Sequence, residues 1–375
     1  MSYNSTIFMQ VMQEVNKYDF KNQVSKYNGD KGASIFKCYQ LLTTMIYSNL
    51  KRKVSLRDIE IGFGTNKKDY YHMNIINVKR SSLSDALKSR PSKVFEDFYF
   101  FLYNQLSRSQ KREGKRILRQ IDSTTLSMCL SQYPWAKFRE SKSGVKMHVM
   151  LNNELKTPVQ LIITEAKKHD NKVCWDFLIE KGETYVFDRG YNDFSWWYKI
   201  HKAEAFFVTR LKSNTKYETI TEKLTGKNEG VLFDNTIKLN DDYPEELRHI
   251  RFYAKEIDKI FDFVTNDLKS SPEVIAEVYK NRWQIETFFK WIKQNLKIKK
   301  FYSTSKNGVL IQLWCCLITY ILLLMIRNKI IIPVELLVLL RIIQDNLEKR
   351  IDLTELILYD KPIIKIRNNQ PEIEF

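Results

Sequence analysis

The sequence predicts a mixed α/β sheet core that carries a β-rich insertion, with a basic helical segment before it and apolar helices after it. Three observations predict this class. Residues 1–110 are Gly-poor, and periodic apolar segments alternate there with short polar turns, as in helices that pack through one face. From Arg116 the texture changes to short strand-like runs interleaved with helical stretches, the pattern of a mixed sheet. Residues 212–271 are then polar, rich in Lys, Asp, Asn and Thr, and read as short strands with turns at Gly226-Lys-Asn and Asn240-Asp-Asp.

Taken in order, Ser55-x-x-Asp58 and Ser82-x-x-Asp85 are capping-box candidates that open short helices. Between them Gly62-Phe-Gly64-Thr-Asn-Lys-Lys reads as a turn. Helix, turn and second helix suit a helix-turn-helix-like DNA reader, and suit a plain bundle with a basic face equally well. Pro91 ends this unit, and Val94–Leu106 follows as an amphipathic helix. Ile117–Leu126 reads as a strand running into a polar turn, with Asp122 at the strand's end. Val145–Leu151 and Pro158–Thr164 form a hairpin across Asn152-Asn-Glu. Asn171–Lys181 is helical, Thr184–Phe187 is a short buried strand, Trp196–His201 is helical, and Ala205–Leu211 is a further strand. Pro272 opens a long helix from about Glu273 to Leu296, and helices over Val309–Ile326 and Glu335–Leu347 follow. The expected domains are 1–110, helical, basic and DNA-binding; 115–211 with 272–347, the sheet core; 212–271, the insertion; and 348–375, a tail.

Composition narrows the function. The 375 residues are 43% hydrophobic, which excludes wholesale disorder. Lys and Arg number 61 against 44 Asp and Glu, a net charge of +17. Residues 1–116 hold 21 of those cations and only 10 of the acids, so +11 of the charge sits in the first third. Clusters such as Lys51-Arg52-Lys53, Lys67-Lys68, Lys79-Arg80 and Lys111-Arg112 point to a polyanion, nucleic acid first and an anionic membrane surface second. A solvated basic surface remains the plain alternative. Five cysteines without a CxxC pair, and five histidines, argue against a zinc framework or disulfide scaffold and fit a reducing compartment. Met1-Ser-Tyr-Asn-Ser-Thr shows no secretory signal, so a cytoplasmic protein is expected. Val309–Ile326 is long enough to span a membrane, but Gln312, Thr319 and Tyr320 interrupt it and no second span accompanies it. A buried core helix gives the same pattern.

Three carboxylates carry the chemistry. Asp122 and Asp188 each follow a strand, and if those strands are neighbours both acids emerge at one edge. A helix beside that edge brings Glu286 to them. Three converging carboxylates suit hard divalent cations such as Mg²⁺, and two ions about 3.5–4 Å apart clamp both oxygens of a phosphoryl transfer. On a helical wheel Tyr279, Arg282, Glu286, Lys290 and Lys293 fall in a stripe roughly 80° wide, beside an apolar face of Ile285, Phe288, Phe289, Ile292 and Leu296. Two readings stay open on chemistry alone: a solvated face knitted by i,i+4 pairs, or a cationic row that holds phosphates around a metal-binding acid.

Tyr279-x2-Arg282-x3-Glu286-x6-Lys293 resembles the YREK signature of insertion-sequence transposases of the IS-four type, members of the DDE superfamily. Ile121-Asp122-Ser-Thr and Phe187-Asp188-Arg-Gly-Tyr resemble the blocks around their two catalytic aspartates. The resemblance spans about residues 115–326. It implies an RNase H-like core with Asp122, Asp188 and Glu286 as catalytic residues and ligands of two Mg²⁺ ions, Mn²⁺ being a substitute. It implies contacts from Tyr279, Arg282, Lys290 and Lys293 to DNA, cut-and-paste transposition through a DNA hairpin, and transposon-end and target double-stranded DNA as partners. It further implies a homodimer on DNA and a nucleoid-associated prokaryotic protein with no membrane role. A metal nuclease without strand transfer, a catalytically silent DNA-binding derivative and a single-span membrane protein are the alternatives. No aromatic of the insertion (Phe252, Tyr253, Phe261, Phe263) is assigned to base stacking, and His148 is expected to pack or hydrogen-bond in the core.

Overall fold

The structure, a computed structural model, describes residues 5–34, 36–65, 78–108, 116–139, 142–223, 230–296, 298 and 300–359. Lys67-Lys68, Lys111-Arg112, the turn at Gly226-Lys-Asn and the tail beyond Tyr359 lie outside them. By compactness the chain divides into Lys111–Lys290, and Met1–Gln110 together with Trp291–Glu374.

Among the described residues the first of these units is built on ten strands: β1 Leu118–Met128, β2 Lys137–Arg139, β3 Lys142–Asn152, β4 Thr157–Glu165, β5 Thr184–Phe187, β6 Phe206–Arg210, β7 Glu218–Thr221, β8 Val231–Lys238, β9 Glu246–Ala254 and β10 Lys259–Thr265. They form one sheet in the order β2-β3-β1-β5-β6-β10-β9-β8-β7, with β4 also on β3. β4, β3 and β1 are antiparallel, while β1, β5 and β6 are parallel. This is the RNase H-like core. The insertion is not a separate body, because β10 pairs with β6 and the meander β7–β10 widens the core sheet.

Burial explains the central strands. All four residues of β5 are buried, as expected for a parallel strand covered on both faces. Tyr185 and Phe187 point to one face, where they meet Trp196, Trp197 and Ile200 of helix Phe194–Lys202. Val186 and Val208 point to the other, against Phe263, Ile275 and Tyr279. Asp193 caps the first helix by accepting from the Trp196 N–H at 2.9 Å, and Ser271 with Pro272 starts helix Pro272–Lys280.

Several sequence expectations need correction. β1 runs on to Met128, so Asp122 stands mid-strand rather than at a strand end. Asn171–Lys181 is only the short helix Asp170–Val173 and a 3-10 turn, Cys174–Asp176. The single helix expected over Glu273–Leu296 is two, Pro272–Lys280 and Trp283–Asn295.

In the helical unit, Ser55 accepts from the Asp58 N–H at 3.0 Å as a cap should. Gly62 and Gly64 nevertheless lie inside helix Leu56–Thr65, not in a turn. Ser82 does not cap; helix Arg80–Ser89 starts earlier, and Glu60 accepts from the Arg80 N–H at 2.9 Å. The apolar run forms helix Lys306–Lys329, packed against helices Cys38–Leu50 and Ser92–Arg108. It is long and apolar enough to cross a membrane, yet 89% of its apolar window is buried in the protein. Its polar residues are satisfied there: Gln312 accepts from the Tyr302 N–H and donates to the Lys300 carbonyl, and Thr319 accepts from Asn49 at 3.0 Å. Compactness thus groups residues from Trp291 onward, this helix included, with the N-terminal helices, whereas the sequence groups 272–347 with the sheet core. The five cysteines are free thiols.

Candidate active site

The β1–β5 parallel ladder ends at Ile121 opposite Phe187. Asp122, still on β1, and Asp188, just past β5, are the next residues, so two acids stand side by side at the end of that ladder. Side chains alternate along a strand. Ile121 faces the tryptophan cluster, so Gln120 and Asp122 face the other side, where helix Pro272–Lys280 lies. Gln120 proves the placement, since its Nε2 donates to the Asn281 carbonyl at 2.5 Å.

That hydrogen bond also accounts for the break between the two helices. In a continuous helix the Asn281 carbonyl would accept from Ile285. Here it accepts from Gln120 and from the Gln284 N–H at 3.0 Å, while the Ile285 N–H turns to the Arg282 carbonyl at 3.3 Å. The tight turn aims Arg282 at the acids. Its guanidinium lies 3.6 Å from Asp122 Oδ2 and donates to Glu286 Oε1 at 2.6 Å. Tyr279, one turn earlier, is buried with its ring 5.0 Å from that of Phe263. The Arg210 and Arg282 guanidinium carbons stand 5.8 and 5.9 Å from the Tyr279 ring. The Tyr279 hydroxyl is buried without a hydrogen-bond partner, an unmet donor beside two cations. Lys290 is exposed one turn beyond Glu286, and Lys293 lies nearly another turn along the same helix.

Asp188 accepts from the Gly190 N–H at 2.8 Å and so caps the 3-10 turn Arg189–Tyr191. A Cβ on residue 190 would stand 2.9 Å from Asp188 Oδ1, which is why glycine is there. Asp122 accepts from the Ser123 N–H at 2.7 Å. Its acid is pushed up to about 7, chiefly by burial, with the negative charges of Asp188 and Glu286 adding to the rise and the Ser123 N–H and Arg282 opposing it.

The three predicted acids therefore act on one another. They do not, however, converge tightly enough for one ion: among the described residues no three His, Cys, Asp or Glu side chains stand within reach of a single metal. Arg282 lies between Asp122 and Glu286. The donor set is all carboxylate oxygen and carries surplus negative charge, which fits a hard divalent cation.

Sequence reasoning missed Gln120, which sets the helix break, and the pair Lys146–Asp170 beside the acids, joined at 2.7 Å. No spacing signals either, because both depend on strand register. His148 hydrogen-bonds Thr164 at 2.9 Å within the core, as expected. Phe263 and Phe261 stack on each other and pack in a core that the insertion shares with β5, β6 and helix Pro272–Lys280, and Tyr253 donates to Asp258.

A family model described as a transposase DDE domain matches residues 113–322, more than half of the chain. The chain belongs to the DDE transposase family. A second family model, a domain of unknown function (DUF4372), matches residues 3–76. A Sinorhizobium fredii protein assigned as transposase y4zB is 38% identical over 67% of this chain and 73% of its own length. A Geobacillus stearothermophilus protein assigned to insertion sequence element IS5377 is 28% identical over 65% of this chain and 66% of its own. A Synechocystis protein assigned to element IS4SA is 28% identical over 68% and 72%. A solved piggyBac transposase synaptic complex with hairpin DNA aligns at a TM-score of 0.49 and 9% identity, covering 99% of this chain and 83% of that one, too distant to carry any argument. The DDE transposase is thus an insertion-sequence enzyme that cleaves and joins DNA strands, of a family that works with divalent metal ions.

Proposed function

We propose that this transposase moves its own element by cut-and-paste transposition, with Asp122, Asp188 and Glu286 as catalytic residues holding two Mg²⁺ ions, or Mn²⁺ in their place. One observation carries the reading: Asp122 and Asp188 emerge together at the end of the parallel ladder, with Glu286 tied to Asp122 through one arginine. When bound, such cations activate a water or a DNA 3′-hydroxyl and stabilise charge on the scissile phosphate. The chain's own work is to hold those ions and to grip the backbone. Tyr279 and Arg282 form the YREK pair nearest the acids, and the unmet Tyr279 hydroxyl suits a phosphate oxygen. Lys290 and Lys293 extend the cationic row along the helix. The basic residues 1–110 bind the inverted-repeat ends, a homodimer brings two ends together, and the protein works in the cytoplasm on the nucleoid. Nothing in this chemistry requires a covalent protein–DNA intermediate.

The test is incubation of the protein and Mg²⁺ with DNA carrying the element and its flanks. End-specific breaks and hairpins are expected from the native protein, and none from Glu286→Gln, which should still bind the ends. Normal cutting by that variant would remove Glu286 from the metal set. Lys293→Ala should weaken end binding and lower its salt slope by about one unit. An unchanged slope in a binding titration across salt concentrations would take Lys293 out of the phosphate contacts.

A further inference from the structure

On the face of β1 opposite Asp122 lies a second polar cluster. Strand register sets Ser123 beside His148 and Thr125 beside Lys146, so these side chains share the face that Asp122 does not. Asp170, first residue of helix Asp170–Val173, closes the group. Lys146 Nζ donates to Asp170 Oδ2 at 2.7 Å. Fully buried His148 holds its Nδ1 3.2 Å from Asp170 Oδ1, out of line for a hydrogen bond. The Asp170 carboxylate is mostly buried and reaches both acid-bearing segments. Through His148, which strand register sets opposite Ser123, it lies beside the residue next to Asp122. It also lies against the Asp188 turn, where a Cβ on residue 190 would come 3.6 Å from Asp170 Oδ2. Tyr191, at the end of that turn, buries a hydroxyl without a hydrogen-bond partner and feels the charges of Asp170, Asp122 and Asp188.

A brace is needed here for a physical reason. The backbone ladder between β1 and β5 stops at Ile121 and Phe187. Beyond it no main-chain pairing holds Asp122 and Asp188 at a set spacing, and carboxylates of like charge repel. An ion pair behind the sheet, touching both segments, supplies the missing tie. Because Lys146 cancels its charge, Asp170 adds little to the negative field in front.

We propose that Asp170, oriented by Lys146, is a positioning residue of the transposase active site that keeps Asp122 and Asp188 aligned. The proposal rests on the metal-ligand assignment above, and its test separates the two. Full-length Asp170→Asn, Asp170→Glu and Lys146→Gln are compared with Asp122→Asn for single-turnover cleavage at saturating end DNA, for end affinity, for thermal melting and for Mn²⁺ binding without DNA. Asp170→Asn and Lys146→Gln are each expected to lose about 10–100-fold in cleavage rate and to bind Mn²⁺ more weakly, with end affinity unchanged. Asp170→Glu should recover part of both. Native rate and native Mn²⁺ affinity in either Asp170→Asn or Lys146→Gln, with Asp122→Asn inactive, overturn the proposal alone. So does a rate loss that follows only the loss of melting temperature, with Mn²⁺ affinity unmoved. Should Asp170→Asn not fold, Lys146→Gln decides between the same outcomes by the same measurements. If Asp122→Asn itself cuts normally, the underlying metal assignment falls instead.

Discussion

Asp122→Asn is expected to abolish end cleavage and, in the same molecule, to raise stability above neutral pH. The carboxyl sits at about 7 in the folded protein against an ordinary 3.8, mainly through burial and then through its acidic neighbours Asp188 and Glu286. A carboxyl whose folded value is raised binds its proton more tightly in the native state. Below the unfolded value both states are protonated, and the native state bears no penalty. The penalty grows as pH rises from about 4 to about 7 and is complete above that. A rise of this size corresponds to roughly 4 kcal/mol. Asparagine never ionises, so the variant should melt higher than the native protein at pH 8 and close to it at pH 4. A divalent cation relieves the same charge, so Mg²⁺ should raise the native melting temperature at pH 8 and leave Asp122→Asn nearly unmoved. Thermal melts at both pH values, with and without Mg²⁺, check this. Equal melting temperatures at pH 8 would falsify the picture of Asp122 as a strained, charge-crowded ligand.

Glu183→Ala should cost about 3–5 kcal/mol, the penalty typical of breaking a buried ion pair from one side. Arg119 on β1 and Glu183, just before β5, are each about 5% exposed. Arg119 Nε and Nη2 donate to the two Glu183 oxygens at 2.8 and 2.5 Å, a bidentate fork, and the Tyr185 hydroxyl donates to the same carboxylate at 3.0 Å. Truncation leaves the guanidinium buried without its anion. Because domains are stable by only about 5–15 kcal/mol, the loss should lower the midpoint of chemical denaturation sharply. It should also reduce cleavage, since this pair joins the two strands that carry Asp122 and Asp188. Glu183→Gln, which keeps acceptor and shape, should lose less. If the alanine variant unfolds at the native denaturant concentration, the pair contributes nothing net to the sheet.

Much of this was legible in order along the chain. Thr184–Phe187 is a run of four strand formers before an acid, and a parallel strand buried on both faces has just that composition. The run Val309–Ile326 announced a buried helix because Gln312 and Thr319 need partners that only a protein interior supplies. The break at Asn281–Arg282 left no mark, because neither residue is a helix breaker. It arises when Gln120, some 160 positions earlier, takes the Asn281 carbonyl. Ser82 looked like a cap for the same kind of reason: local pattern favours it, but Glu60 from another helix reaches the Arg80 N–H first. Asp122 read as a strand end because its polar neighbours resemble a turn, whereas β3 keeps β1 extended for six further residues.

By itself the sequence determined most of the strands and helices and the basic character, and it singled out the three acids as candidates, since periodicity, charge and residue chemistry are local properties. Only the tertiary structure decided where those acids stand, that Arg282 sits between two of them, and that Lys146 and Asp170 pair on the opposite face of β1. Strand register and one long-range side-chain hydrogen bond place those groups, and pairing between distant segments is written in no single stretch of the chain.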